Sequence, residues 1–303
     1  MSQATPLEPV PAGLTARSDV YLKREDVHEL GAFKWRGALP TLRGWQRGGA
    51  TAVVTASTGN HGAATAWAAD RLGLEALVFV PEEAARAKVE LIESLGAEVR
   101  RAGRDMDDAK DAARAFSAET RLPFFEDGNE RAQYEGYRSI AREVLAQLPA
   151  APAAMVVPLG NGALLGGIGL ELAEHAPATL RVGVQAKDAP VMVECWEAGE
   201  VVESRQCATF ADGLAIRVAI PFAVEVLGEV ASSMLLVSER AMATAVGAYA
   251  RAGIRVEGAA AAALAALPQV PDVDGPIVLI VTGRNIDDEL WQRACEAPES
   301  FPA

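Results

Sequence analysis

Lys34 sits in "LGAFKWRGAL" (30–39), an apolar stretch bracketed by glycines, where a charged amine calls for a reason. The plain reason is a stem packed on apolar neighbours with its amine in water. Three glycine-bearing turns offer chemistry of their own. In "TASTGNHGAATAWAA" (55–69), Ser57, Thr58, Gly59, Asn60, His61 and Gly62 run straight into a helical pattern. Backbone amides and a helix N-terminus at such a turn suit an anion such as a carboxylate, although any one of the polar residues is equally explained as a helix cap. In "VVPLGNGALLGGIGLELAEHA" (156–176), Gly160, Asn161 and Gly162 lead into Ala163 and Leu164, small or uncharged residues that let a phosphate approach the amides. Gly160, Gly162 and Gly166 also approximate a dinucleotide fingerprint, and a tight turn with close helix packing accounts for them as well. In "IVLIVTGRNID" (277–287), an apolar strand ends at Thr282, whose hydroxyl can make one neutral hydrogen bond.

The elements that must position these residues follow from periodicity. Short β-branched runs alternate with alanine-rich, helix-period stretches, the pattern of βα units around a mainly parallel sheet. Strands are expected at 52–57, 75–81, 97–103, 153–160, 181–187, 232–238 and 276–283, and "RDMDDAKDAARAFSAET" (104–120) reads as an amphipathic helix. All three turns fall at carboxyl ends of strands, where open α/β sheets bind their ligands. The net charge of −13 argues against nucleic acid as a partner. With no apolar run of membrane-spanning length and no leader-like start, a cytoplasmic protein without a membrane partner is expected. Cys195, Cys207 and Cys295 are widely spaced, so reduced thiols are expected, and with His28, His61 and His175 equally scattered no metal site is legible.

The segment "YLKREDVHELGAFKWRGAL" (21–39) resembles, nearly position by position, the surroundings of the Schiff-base lysine in pyridoxal-phosphate enzymes of the tryptophan synthase β fold (fold type II), within them the serine/threonine dehydratase (ammonia-lyase) and serine racemase group. The resemblance covers most of the chain and meets all three turns in order. It implies pyridoxal 5'-phosphate as cofactor, Lys34 as its lysine, and Phe33 against the pyridine ring. It makes Ser57, Thr58, Gly59, Asn60 and His61 the substrate carboxylate loop, with Asn60 also near the cofactor. Gly160, Asn161, Gly162, Ala163 and Leu164 match the phosphate loop, Thr282 faces the pyridine nitrogen, and Glu257 lies near the active site. Two open, mainly parallel twisted sheets flanked by helices are implied, in a homodimer. The larger domain takes 1–50 and 134–303, the smaller 51–133, with the cofactor between them. The implied reaction is loss of the β-hydroxyl from a small amino acid such as threonine or serine, giving a 2-oxo acid and ammonia. Lys34, activated by burial or nearby positive charge, is the base.

Some residues depart from the pattern. Ala32 stands where the family usually has serine, the phosphate loop is poorer in glycine, and Ala208 replaces a glutamate of cation-activated relatives. Arg284 replaces a usual glycine, which adds a cation that either reads an acidic substrate or pairs with Asp287 or Asp288. Thr58, at the position of the racemase serine, keeps racemisation open, whereas Trp35 stands where threonine synthases carry aspartate. Outside these chemistries stand a nicotinamide-dependent oxidoreductase built on the 160–166 glycines and a catalytically silent pyridoxal-phosphate-binding protein.

Overall fold

The computed structural model describes residues 4–204 and 207–303. The chain folds into two compact units, residues 1–33 with 137–303, and residues 34–136. Residues 34–50, expected with the larger domain, belong to the second unit because α1 (Trp35–Arg47) packs on its core. Trp35 meets Trp67 at 6.2 Å between ring centroids, and Trp45 meets Phe125 edge-on at 5.7 Å. The other boundary falls inside a helix, between Gly136 and Tyr137.

In the first unit, β1 (Leu7–Pro9) pairs antiparallel with β2 (Val20–Arg24), the edge of a sheet that is otherwise parallel. In the second unit, β3 (Ala52–Ala56), β4 (Glu75–Val80) and β5 (Glu98–Arg101) form a parallel sheet in that order. Around it lie α1, α2 (Asn60–Leu72), α3 (Arg86–Ser94), α4 (Met106–Thr120) and the start of α5 (Arg131–Gln147). Asp105 caps α4 by accepting from the amides of Asp107 and Asp108, so the expected helix forms from a side-chain cap onward.

The first unit resumes with β6 (Ala154–Pro158), α6 (Ala163–His175), β7 (Leu180–Ala186), α7 (Val191–Ala198), α8 (Pro221–Val230), β8 (Ser233–Val237), α9 (Glu239–Arg251), α10 (Gly258–Ala266), β9 (Ile277–Val281) and α11 (Asp288–Glu296). Its sheet runs β1-β2-β9-β6-β7-β8. β6 and β9 are fully buried and read as continuous apolar runs, as strands covered on both faces must. Five consecutive alanines of α10, Ala259 to Ala263, are buried in the same core as Val156, Val184 and Leu279, small side chains that let helix and sheet approach closely.

The strands expected from the sequence are present, within two residues at each end. β1 and β2 were not among them. β2 carries Lys23 and Arg24, and its apolar signal is too short to register. Lys23 is nonetheless fully buried, its ammonium donating to Thr5 O (2.8 Å), Glu143 Oε2 (2.6 Å) and Gln147 Oε1 (2.9 Å). Three N–H groups thus meet three acceptors, which is what makes a buried ammonium tolerable.

Candidate active site

In the second unit, the segment around Phe124 lies parallel to β3: Val54 N donates to Pro123 O, and Phe125 N to Val54 O at 2.7 Å. This pairing carries Asp127 past the carboxyl end of β3, next to the turn that starts α2. Asp127 Oδ2 accepts from Lys34 Nζ at 2.5 Å, and Oδ1 from Gln133 Nε2 at 2.6 Å. Gln133 is itself fixed, its Oε1 accepting from Gly128 N, while the Tyr134 hydroxyl donates to Gly128 O. Burial would raise the Asp127 carboxyl, but the Lys34 ammonium and the hydrogen bonds from Lys34 and Gln133 hold it far below the usual carboxylate range. Lys34 opens α1, its carbonyl accepting from Gly37 N and Ala38 N, and its side chain is 16% exposed. The group beside it is therefore a carboxylate, where burial or nearby positive charge was expected to activate the lysine.

The 57–62 turn is open at its helix end. Gly59 occupies the N-cap of α2 with no side-chain cap, and Ser57 Oγ accepts from Gly59 N instead. A Cβ on Gly62 would sit 2.5 Å from Ser57 O, so only glycine lets the helix close this tightly on the turn. Thr58 and Asn60 are half-buried on the same turn. His61 points inward: its Nε2 meets Thr55 Oγ1 at 3.1 Å and Phe125 O at 3.2 Å, and its Nδ1 faces Asp127 Oδ1 at 3.6 Å. Since Thr55 Oγ1 donates to Phe125 O, the proton of the ring belongs on Nε2. Burial first, then Lys34 and Lys110, push His61 below its ordinary value, so the ring is neutral. What His61 offers a ligand from this position is its main chain, because its ring is engaged inside.

In the first unit, β6 and β9 are neighbours in register, Val156 opposite Leu279, so the turns after them emerge side by side. Gly162 (φ +93°) caps α6 in the left-handed region, and a Cβ there would meet Leu227 at 2.7 Å. Asn161 Oδ1 accepts from Ala163 N at 3.1 Å, occupying one amide of the expected cradle. A Cβ on Gly160 would sit 2.4 Å from Gly213 O, which brings "ADGLAI" (211–216) against the phosphate-type turn. Leu164 is buried at the base of α6. Beside it, the end of β9 is stitched to residues 31–33: Phe33 N donates to Thr282 O, Ala32 bridges Gly283, and Arg284 N donates to Gly31 O. The buried Thr282 hydroxyl has no hydrogen-bond partner among the described residues. Glu257 opens α10 with its amide on Gly283 O, and its Oε1 lies 2.9 Å from where a Gly283 Cβ would be. Phe33 is buried with its ring 5.1 Å from that of Tyr137.

Arg284 pairs with neither Asp287 nor Asp288. Its Nη1 donates to Asp26 O at 2.7 Å, while Asp287 caps α11 and Asp288 is held by Arg255 at 2.5 Å. Asp127 and Gln133 escaped the sequence reading, since "FFEDGNE" looks like an ordinary acidic loop. The only signal was an aspartate following strand-like "PFF", and it has no meaning until that segment pairs with β3.

Together these features define an α/β protein with an anion-type turn at the end of a strand in each unit, and a half-buried lysine. The chain belongs to the pyridoxal-phosphate dependent enzyme family, whose model matches residues 2–283. It is 35% identical over 272 residues to the L-threonine ammonia-lyase of Geobacter sulfurreducens, a match covering 88% of this chain and 67% of that protein. It is 30% identical to the L-threonine ammonia-lyase of Thermotoga maritima, covering 91% and 69%. The chain thus spans about two thirds of the length of these relatives. Among solved structures, the processed form of threonine deaminase isoform 2 from Solanum lycopersicum superposes with a TM-score of 0.90 at 27% identity, covering 97% of this chain and 88% of that one. The residues present fit the family's cofactor: a buried hydroxyl at Thr282 without a hydrogen-bond partner among the described residues, a glycine turn that opens α6 without a side-chain cap, and a lysine amine at Lys34.

Proposed function

We propose that this protein is a pyridoxal-phosphate-dependent ammonia-lyase that removes the β-hydroxyl of a small amino acid, threonine or serine, and yields a 2-oxo acid and ammonia. The observation that carries the reading is Thr282, a buried, unpartnered and uncharged hydroxyl at the mouth of β9. A neutral group there cannot hold a pyridine nitrogen protonated as a carboxylate would, which favours elimination over transamination. The names of the relatives described above support the same choice.

Bound to these residues, pyridoxal phosphate supplies the electron sink that acidifies the Cα hydrogen of an amino acid. The rest falls to the chain. Lys34 would carry the cofactor and, when free of it, would take the Cα proton on Nζ. The amides and hydroxyls of Ser57, Thr58, Gly59 and Asn60, with the main chain of His61, orient the substrate carboxylate at the head of α2. Gly160 to Leu164 hold the phosphate, Phe33 flanks the ring, and Glu257 backs the Thr282–Gly283 chain. Lys34 then returns its proton to the β-hydroxyl, which leaves as water, and the enamine product takes up water to release the 2-oxo acid and ammonia. The smaller unit is the carrier of the carboxylate loop in this proposal. A cytoplasmic location belongs to the same reading, and no helix among the described residues is long and apolar enough to cross a membrane. The homodimer rests on the family resemblance, and light scattering on the purified protein measures it.

The test is a screen of the purified protein against threonine, serine and 3-hydroxyaspartate with detection of the oxo acid. Oxo acid from one of them supports the lyase; a near-visible cofactor band without oxo acid from any of them overturns it. Asn161→Asp keeps the bond to Ala163 N and sets a negative charge at the phosphate turn, so cofactor affinity should fall roughly tenfold. Unchanged affinity removes the phosphate from that turn. Arg284→Gly should raise kcat/KM for serine or threonine relative to 3-hydroxyaspartate by about tenfold if the guanidinium reads a second carboxylate. An equal change for both means that its bond to Asp26 O is purely structural.

A further inference from the structure

We infer that Asp127 is the positioning residue for the cofactor lysine: its carboxylate takes up the ammonium that Lys34 becomes on accepting the substrate's Cα proton and aims that ammonium until the proton passes to the leaving hydroxyl. The inference rests on Lys34 being the lysine that carries the cofactor.

The geometry is specific. Asp127 Oδ2 lies 2.5 Å from Lys34 Nζ, a charge-assisted distance. The carboxylate cannot swing away easily, because Gln133 grips its other oxygen and Gln133 is held in turn by Gly128 N. Three other titratable groups lie close to Asp127. His61, from α2, is buried and neutral. Tyr134, from α5, is pushed well above its ordinary value by burial and by Asp127, so it stays a phenol. Glu126, next in the loop, is occupied by Lys110 of α4 at 2.5 Å and by Arg114 at 2.7 Å. Asp127 keeps its negative charge through the neutral range, since its carboxyl is held so low.

A fixed carboxylate has two opposite consequences. It stabilises the ammonium, which helps Lys34 take and keep the proton during turnover. It also holds the amine in an ion pair before the cofactor arrives, which slows attack on the aldehyde. The two effects separate in Asp127→Asn, whose shape still accepts from Gln133. In full-length protein resolved of cofactor, addition of pyridoxal phosphate at pH 7 should give covalent capture severalfold faster than in wild type, because the ion pair no longer holds the amine. Turnover of the reloaded Asp127→Asn enzyme should fall, by about tenfold or more. Asp127→Glu, which keeps the charge on a longer arm, should restore slow capture and part of the turnover. Asp127→Ser gives the same two changes as Asp127→Asn should the amide not fold. Capture that is unchanged or slower, or turnover that is unchanged, overturns the inference. Borohydride reduction followed by peptide mapping separates the two layers: label on a lysine other than Lys34 overturns the functional reading itself, whereas label on Lys34 with unaltered capture overturns only the role of Asp127.

Discussion

Lys23 and Lys34 stand eleven positions apart, and each meets a carboxylate, yet the two sites are built to opposite ends. Lys23 projects from β2 into the first unit's interior with a side chain at 0% exposure and three oxygen acceptors. Lys34 heads α1 in the second unit, is 16% exposed, and lies at the end of a parallel sheet where a turn and a loop converge. A saturated, dry ammonium cannot give up its proton or its position without breaking its bonds to Thr5 O, Glu143 and Gln147, so Lys23 is part of the framework. An ammonium at a sheet mouth, held by one rigid carboxylate, can exchange its proton and its bond. Burial and pairing alone therefore do not mark a reactive lysine; access together with a fixed partner does.

The largest effect that would sharpen the contrast is that of Lys34→Ala. Turnover should fall by at least about 10³-fold and borohydride-reducible attachment of the cofactor should disappear, while the thermal transition stays where it is. Lys23→Met should do the reverse. Removing one partner of a buried pair costs about 3 to 5 kcal/mol, visible as an earlier urea midpoint, and the folded fraction should bind a full complement of cofactor. Pairing it with Glu143→Leu should recover much of that loss. A Lys23→Met protein that stays stable but loses cofactor would break the comparison. The smallest effect concerns His61, which shares Asp127 with Lys34. Burial holds the folded imidazole below its ordinary value, so the unfolded chain binds the proton more readily. The stability this residue contributes is fully present above about pH 6.5 and declines as the pH falls toward the folded value, by at most about 1.4 kcal/mol per pH unit. Urea melts at pH 7 and pH 5 should differ less in His61→Gln than in wild type, and an equal difference would show that the ring titrates freely.

Much of the site was legible because its signals are local. A glycine-rich turn after an apolar strand constrains only its own backbone, so the turns at 57–62 and 160–164 and Thr282 could be placed at strand ends from pattern alone. The family resemblance then gave Lys34 its meaning, which its neighbours "GAFKWRG" could not do through physics alone. The strand at 20–24 was lost because Lys23 and Arg24 break its apolar run, and only Thr5, Glu143 and Gln147, distant in sequence, explain how that charge is buried. Arg284 could be recognised as an added cation, but its anchor is a main-chain oxygen at Asp26, and no side-chain pattern announces a carbonyl.

The sequence by itself determined the order of strands and helices, the glycines that its tightest turns require, and the pyridoxal-phosphate dependent enzyme family to which the chain belongs. The elements and turns follow from side-chain periodicity and backbone sterics over a few residues, whereas the family follows from the resemblance of whole motifs. The tertiary structure alone decided that Asp127 meets Lys34, that His61 turns inward to Thr55 and Phe125, and that Gly213 seats Gly160. Each of these contacts joins segments whose spacing along the chain carries no information. Asp127 reaches the lysine only because residues 123–125 pair alongside β3, and that pairing depends on sheet register and core packing rather than on anything written near either residue.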